Sequence, residues 1–183
     1  MQPINNICVR NEEYHYDRNF PFVSIHLGSN RPDQFLQQVE NIESTCSNKK
    51  AYEIVVKIDE EDEKMISCVK SLQHKYGEHK IKPYISPRDK GPWSLWKYYN
   101  EMFPLHDPHV YFFWNPSDEV RFDTQGWDLI LEKYIGFYKD HIFRLKLSDN
   151  RLRNFYRFVE VLGCPDNFSF YDKKMDGYLW FVG

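Results

Sequence analysis

Cysteine is scarce in this sequence of 183 residues, and its spacing carries no metal-binding or redox motif. The four cysteines, Cys8, Cys46, Cys68 and Cys164, lie far apart, and none belongs to a Cys-x-x-Cys pair. Structural zinc sites and dithiol redox sites need such pairs, so the sequence predicts neither. We expect free thiols in a reducing compartment.

Long apolar segments are also missing. No run approaches the ~20 apolar residues that a helix needs to cross a bilayer. The amino terminus lacks the charged segment and hydrophobic stretch of a secretory signal. We therefore expect a cytoplasmic protein without a transmembrane segment.

Positive charge is not concentrated in one part of the chain. The 24 basic residues are spread among 27 acidic ones, which gives a formal net charge of −3. This distribution argues against nucleic acid as the primary partner. One basic patch holds Arg151, Arg153 and Arg157, which could face a phosphate or form a solvated helix face.

The sequence contains no glycine-rich, lysine-containing phosphate loop. Gly28 stands alone after the first predicted strand. A nucleotidyltransferase that shares an α/β sheet is therefore a weaker hypothesis.

The composition that remains is typical of one globular domain. Apolar residues make up 42% of the chain and aromatic residues 17%, which excludes disorder and favours large rigid side chains in a pocket. The chain ends on the apolar run 180–183, which is consistent with a trimmed chain or a short member of a family.

Apolar periodicity predicts strands that alternate with helices. The predicted strands are 22–27, 52–58, 81–85, 109–114 and 141–147. Because Pro83 cannot donate to a ladder, we place its strand at a sheet edge. The alternation predicts an α/β fold with a mostly parallel, Rossmann-like sheet that helices cover on both faces.

Helical spacing predicts four helices between these strands. The first begins at Pro32 with Ser29 or Asn30 as its cap, and the last runs from Trp127 to Tyr138 with Thr124 as its cap. The other two contain residues 65–76 and 95–103. Residues 149–183 break the alternation at Gly163-Cys-Pro165 and regain strand character at 177–182, so we expect a short mixed segment there.

An acidic pair follows the predicted strand that ends at Trp114. Asp118 and Glu119 come directly after Asn115-Pro116 and before the last helix. Ligands of open α/β sheets bind outside the carboxyl ends of strands, so the pair suggests a divalent cation and a phosphate-bearing substrate. The alternative is a solvated acidic turn.

Three segments together resemble the GT-A nucleotide-sugar glycosyltransferases, and family 2 above all. They are Pro21 to Pro32, the strand that ends at Asp59, and Ser117 to Asp128, which contains Ser-Asp-Glu-Val and Gly-Trp-Asp. The resemblance covers about residues 20–150. It implies a single GT-A-like domain over 1–183, with a nucleotide-sugar-binding core at 20–150 and a partial acceptor-side or capping segment at 151–183.

The resemblance also assigns roles to residues. Asp118 and Glu119 look like the family's metal-binding acids, which would hold Mn²⁺ or Mg²⁺ against the departing diphosphate. Asp59 looks like the acid that binds the nucleobase or ribose; its alternative role is a helix cap. The remaining nucleotide-binding candidates are Leu27, Gly28, Ser29, Asn30, Arg31, Arg88 and Lys90.

Two features leave the mechanism open. The usual Asp-x-Asp reads Ser117-Asp118-Glu119 here, so one expected metal ligand is replaced and metal dependence is uncertain. The general base of an inverting enzyme could be any of Asp149, Asp166, Asp172 and Asp176.

Two hypotheses for function follow from the resemblance. The first is a glycosyltransferase that moves a sugar from a nucleoside-diphosphate sugar, of the uridine type, to a hydroxyl of a glycan or other acceptor with inversion. The second is a non-catalytic module that binds nucleotide or sugar. Trp93 and Trp114 could stack on a sugar, although core burial is the expected role of each.

Overall fold

The computed structural model describes residues 16–136 and the backbone of 144–147 and 159–163. The predicted strand at 177–182, the basic patch at 151–157 and the four candidate bases Asp149, Asp166, Asp172 and Asp176 lie outside these residues. None of the helices in the described part of the chain combines the length and the apolar character that a bilayer crossing requires.

Strands and helices alternate along the chain. In order they are β1 (Val23–Gly28), α1 (Pro32–Thr45), β2 (Tyr52–Asp59), α2 (Glu63–Tyr76), β3 (Ile81–Ser86), α3 (Leu95–Met102), β4 (Phe112–Trp114), α4 (Trp127–Glu132), β5 (Arg144–Leu147) and β6 (Val159–Gly163). Short 3₁₀ turns at Gly91–Ser94 and Phe103–Leu105 flank α3.

The strands form one sheet in the order β3-β2-β1-β4-β6-β5. The first four are parallel, β6 pairs antiparallel to β4, and β5 pairs antiparallel to β6. The predicted α/β fold with a mostly parallel sheet is confirmed. Pro83 lies on β3 at the sheet edge, as its missing N–H requires.

Several predicted boundaries were wrong. The last helix ends at Glu132 and not at Tyr138, because the chain turns before Gly136, which has a positive φ of 72°. Its N-cap is Gly126 and not Thr124, since Gly126 has a φ of 68° and donates its N–H to the carbonyl of Thr45 at 2.8 Å.

The strand β4 is also shorter than predicted, because His109 lies in a turn that closes from Val110 N to Asp107 O at 3.0 Å. The strand β6 was not predicted. It adds to β4 in the register Trp114↔Val161, and it ends at Gly163, where the sequence places its break.

The two faces of the sheet differ in polarity. Alternate residues of β1 and β2 pack with α1 and α2 in a large apolar core that includes Ile25, Ile54 and Phe35. The opposite face has a small apolar cluster around Val55 and Tyr99 of α3. The rest of that face is polar, because β1 and β2 place four polar side chains there: Ser24, His26, Glu53 and Lys57.

A chain of hydrogen bonds satisfies three of these buried groups. The hydroxyl of Ser24 donates to Glu53 Oε1 at 2.7 Å and lies 2.9 Å from His26 Nε2. Because that hydroxyl has one proton, the imidazole must be the donor to Ser24, which fixes the neutral tautomer with its proton on Nε2. Lys82 neutralises Glu53 with its Nζ 2.7 Å from Oε2.

Burial, together with the electrostatic effects of His106 and Lys82, lowers the pKa of His26 to about 3. An unfolded chain takes up this proton near pH 6.5, whereas the folded chain does not. Stability must therefore fall as the pH falls below 6.5.

We expect the free energy of unfolding to drop by about 2 kcal/mol from this residue between pH 7.5 and pH 5. Urea unfolding at several pH values measures the slope. The variant His26→Gln keeps an N–H donor for Ser24 and should lose that part of the slope. The matched variant His74→Gln, at an exposed position on α2, should keep it. Equal slopes in all three proteins would contradict the assignment.

Candidate functional site

The candidate site lies at the carboxyl edge of the parallel strands. Parallel pairing of β1 with β2 and β4 brings Gly28, Asp59 and the loop after Trp114 to the same edge. This edge is where open α/β sheets bind ligands. Two groups of side chains occupy it, and they are joined through the turn 29–31.

The first group is an arginine held by two carboxylates. Asp118 Oδ2 accepts hydrogen bonds from Ser29 Oγ at 2.7 Å and from Arg31 Nε at 3.1 Å, and Oδ1 accepts one from Arg31 Nη2. Arg31 Nη1 also donates to Glu119 Oε1 at 2.7 Å. Asp118 is buried, whereas Glu119 is exposed. These carboxylates raise the pKa of Arg31, so it stays charged.

The turn between β1 and α1 positions this arginine. Ser29 Oγ accepts the backbone N–H of Arg31 at 3.1 Å, and Pro32 then begins α1 without needing a hydrogen-bond partner. The predicted cap at Ser29 or Asn30 was wrong: Arg31 is the N-cap residue, and its side chain makes no capping bond. The hydroxyl of Ser29 bonds Asp118 instead.

Side chains of α1 bond the backbone of the acidic loop, residues 117–122. Gln38 Nε2 donates to the carbonyl of Ser117 at 2.8 Å. Asn41 Nδ2 donates to the carbonyl of Phe122 at 3.1 Å, and Asn41 Oδ1 accepts the backbone N–H of Phe122 at 2.7 Å. The path of 117–122 is therefore fixed by contacts to its backbone.

The second group forms a cleft of about 450 Å³ beside the first. Its lining comprises Asn30, Asp59, Glu61, Asp62, Glu63, Lys64 and Arg88. The size is within the range of small-molecule sites. Each lining residue has a polar or charged side chain, so the cleft offers a ligand several hydrogen-bonding groups.

Asp59 is held in this cleft by a buried lysine. Lys57, which is 5% exposed, forms an ion pair with Asp59 Oδ1, and its ammonium lies 4.4 Å above the ring of Tyr98. Asp59 Oδ2 is 3.9 Å from Arg88 Nε. The alternative role of Asp59 as a helix cap is wrong, because Asp62 caps α2 by accepting the N–H of Met65 at 3.0 Å.

The structure brings together most of the predicted site residues. Ser29, Arg31, Asp118 and Glu119 form the first group, and Asn30, Asp59 and Arg88 line the cleft. An added Cβ at Gly28 would meet nothing within 4 Å, so the backbone is open to a ligand there.

Four predicted residues lie elsewhere. The side chain of Leu27 is buried in the core, which leaves only its backbone for a ligand. Lys90 is exposed and does not line the cleft. Trp114 is buried as expected, whereas Trp93 is 75% exposed and its expected burial is wrong.

Sequence reasoning missed Lys57 and Lys64. Lys57 had a readable signal, because it interrupts the apolar run from Ile54 to Ile58 and shares a strand face with Asp59 two residues later. A charged group on a buried strand needs such a counter-ion. Lys64 lies in the first turn of α2 next to an acidic stretch, and no spacing distinguishes it from a surface lysine.

The arrangement at Asp118 does not fit a divalent cation. Both carboxylate oxygens of Asp118 already accept hydrogen bonds, and Arg31 lies where an ion shared with Glu119 would bind. Within residues 16–136, no three His, Cys, Asp or Glu side chains are grouped as metal ligands. The metal-binding role of the two acids stays a prediction.

Comparisons with known proteins identify the fold. No family model matches the chain, and no curated protein matches its sequence. Among solved structures, the mannosyltransferase PcManGT from Pyrobaculum calidifontis, in complex with GDP-Man and Mn²⁺, has a TM-score of 0.56 at 10% identity over 82% of this chain. S. aureus TarS 1-349 has a TM-score of 0.52 at 12% identity over 74% of this chain.

The chain spans less than half the length of either protein, namely 47% of the first and 38% of the second. At these identities the likeness concerns the fold. The protein has the fold of GT-A-type glycosyltransferases, which confirms the resemblance found in the sequence.

The buried pair in the cleft gives a test of the site's construction. Asp59→Leu removes the counter-ion of the buried Lys57, and we expect it to lower the free energy of unfolding by about 3–5 kcal/mol. The double variant Lys57→Met/Asp59→Leu removes both charges and should recover more than half of that loss. Urea unfolding of both single variants and the double variant measures the coupling. Additive losses would contradict the pairing.

Proposed function

We propose that the protein transfers a sugar from a nucleoside-diphosphate sugar to an acceptor hydroxyl, with inversion at the anomeric carbon. The observation that carries this proposal is the convergence at one sheet edge of the turn 29–31, Asp59 and the acidic loop at 118–119, on a GT-A fold. These are the positions at which the resemblance in the sequence places donor contacts.

The cleft offers suitable groups for a nucleoside. Asp59 Oδ2 can accept a hydrogen bond from a ribose hydroxyl or a base N–H, since Arg88 Nε lies 3.9 Å from it, beyond hydrogen-bond distance, and Lys57 bonds the other oxygen. The amide of Asn30 can both donate and accept. Arg88, which is 66% exposed, can turn toward a phosphate. A uridine nucleotide is the donor that we propose.

Inversion requires a base on the acceptor side. A carboxylate takes the proton of the acceptor hydroxyl, the oxygen forms a bond to the anomeric carbon, and the bond to the diphosphate breaks with its electron pair. We propose that the carboxylate is one of the four candidates: Asp149, Asp166, Asp172 and Asp176.

Cys46 and Cys68 are free thiols, which supports a cytoplasmic location for this chemistry.

A second candidate function is a donor-binding module without turnover. The contact of Arg31 with both Asp118 and Glu119 favours it, because the acids predicted to hold a catalytic metal already have a counter-ion. A transferase releases a nucleoside diphosphate from its donor, whereas a module binds the donor and returns it intact.

Calorimetry with uridine and guanosine diphosphates, in the presence of Mn²⁺, tests the donor site. We expect Arg88→Ala to weaken binding about tenfold, because it removes a charge-assisted contact to the diphosphate. Lys90→Ala removes the same charge two residues away, outside the cleft lining, and should change the Kd less than twofold. If the wild-type protein binds neither uridine diphosphate nor guanosine diphosphate, the proposed function is overturned.

Chromatography of nucleotide-sugars after incubation separates the two candidates. We expect release of nucleoside diphosphate in the presence of an acceptor, and loss of that release in Asp59→Asn. Tight binding with an intact donor, across uridine- and guanosine-linked sugars, would favour the binding module.

A further inference from the structure

The inference rests on the proposed function and concerns the diphosphate. We propose that Arg31, and not a divalent cation, compensates the diphosphate charge in this site. In this arrangement Asp118 and Glu119 are positioning residues that hold the guanidinium. Donor binding is then independent of added metal.

The geometry of Arg31 leaves it able to bind a phosphate. A guanidinium has five N–H donors. Three are used: Nε–H and one Nη2–H form a fork on Asp118, and one Nη1–H binds Glu119. Two donors remain among the described contacts, one on each terminal nitrogen. The side chain is 44% exposed, so these donors can reach solvent or a ligand.

The guanidinium is fixed before any ligand arrives. The fork sets its plane against Asp118, which is 3% exposed, and Ser29 bonds both this carboxylate and the backbone N–H of Arg31. Ordering a free arginine side chain on binding costs conformational entropy. Here most of that ordering occurs in folding, which suits a rigid contact to phosphate oxygens.

The same contacts exclude a cation from the two carboxylates. A metal ion must be bound by lone pairs of Asp118, and hydrogen bonds from Arg31 and Ser29 already occupy three of about four of these. To bind Asp118, a cation would have to displace the guanidinium of Arg31 from this carboxylate. The guanidinium and the cation would then lie close together and repel each other. Glu119 alone offers an exposed carboxylate oxygen, which is a weak site for Mn²⁺ or Mg²⁺.

Substitution of Arg31 distinguishes the two arrangements. The two carboxylates outnumber the guanidinium by one charge, so Arg31→Gln leaves a more acidic loop. If Arg31 compensates the diphosphate, this variant loses the nucleotide. If a cation does, the wild type needs Mn²⁺ to bind nucleotide, and this variant still binds nucleotide when Mn²⁺ is present.

The experiment is calorimetry of uridine and guanosine diphosphates in EDTA and in Mn²⁺, together with a titration of Mn²⁺ alone. We expect the wild-type Kd in EDTA to be within threefold of that in Mn²⁺. Arg31→Gln should weaken binding at least tenfold in both buffers. Arg31→Lys should weaken it similarly, because an ammonium cannot form the fork and keep two directed donors.

The matched control is Arg18→Gln. Arg18 also forms a fork on a carboxylate, with Nε and Nη2 at 2.9 and 3.2 Å from Glu132, and it is 69% exposed. This variant should bind nucleotide as the wild type does. Its thermal unfolding midpoint, compared with that of Arg31→Gln, shows whether loss of an arginine fork alone unfolds the protein.

Four outcomes would overturn the inference. Nucleotide binding that requires Mn²⁺ in the wild type, or tight binding of Mn²⁺ alone to the wild type, would assign the charge to a cation and leave the proposed function intact. A folded Arg31→Gln that binds nucleotide normally in EDTA would show that Arg31 has no such role. Absence of nucleotide binding in both buffers would overturn the proposed function as well.

Discussion

The site depends on the parallel pairing of β1 with β2 on one side and β4 on the other. This pairing carries three chain segments, separated by tens of residues, to one edge of the sheet. It is possible only because helices cross back over both faces, which buries the strands completely. The turn 29–31, the end of β2 and the loop after β4 then meet without further structure of their own. The pairing of β1 with its two neighbours thus determines both the core and the place where a ligand can bind.

The two faces of this ladder are stabilised differently. The face covered by α1 and α2 is apolar. The face toward α3 contains charged side chains in an otherwise dry environment, and each relies on a specific neighbour: Glu53 on Lys82, and Lys57 on Asp59. Pairs of this kind add little net stability, but loss of one member is expensive. The cleft is therefore connected to the interior through Asp59, whose counter-ion is part of the folded core.

The sequence predicts the elements of this fold better than it predicts their contacts. Apolar periodicity located β1, β2 and their helices, and Pro83 placed β3 at an edge, because both signals act within a few residues. The sequence did not predict β6, because this strand depends on pairing with β4, which is distant along the chain. The start of α4 depends on the left-handed conformation of Gly126, which contacts Thr45, and no local pattern indicates that contact.

The candidate site shows the same limit. Its residues were found as strand ends, but the contact between Arg31 and Asp118, which are 87 positions apart, is not encoded in any spacing. The helix α1 contacts the acidic loop through the backbone of the loop. Gln38 and Asn41 bind carbonyl and amide groups of 117–122, so they recognise the path of the loop and not its side chains. Replacement of the exposed Glu119 should therefore leave the course of the loop unchanged, so the chemistry at this position can vary on a constant backbone.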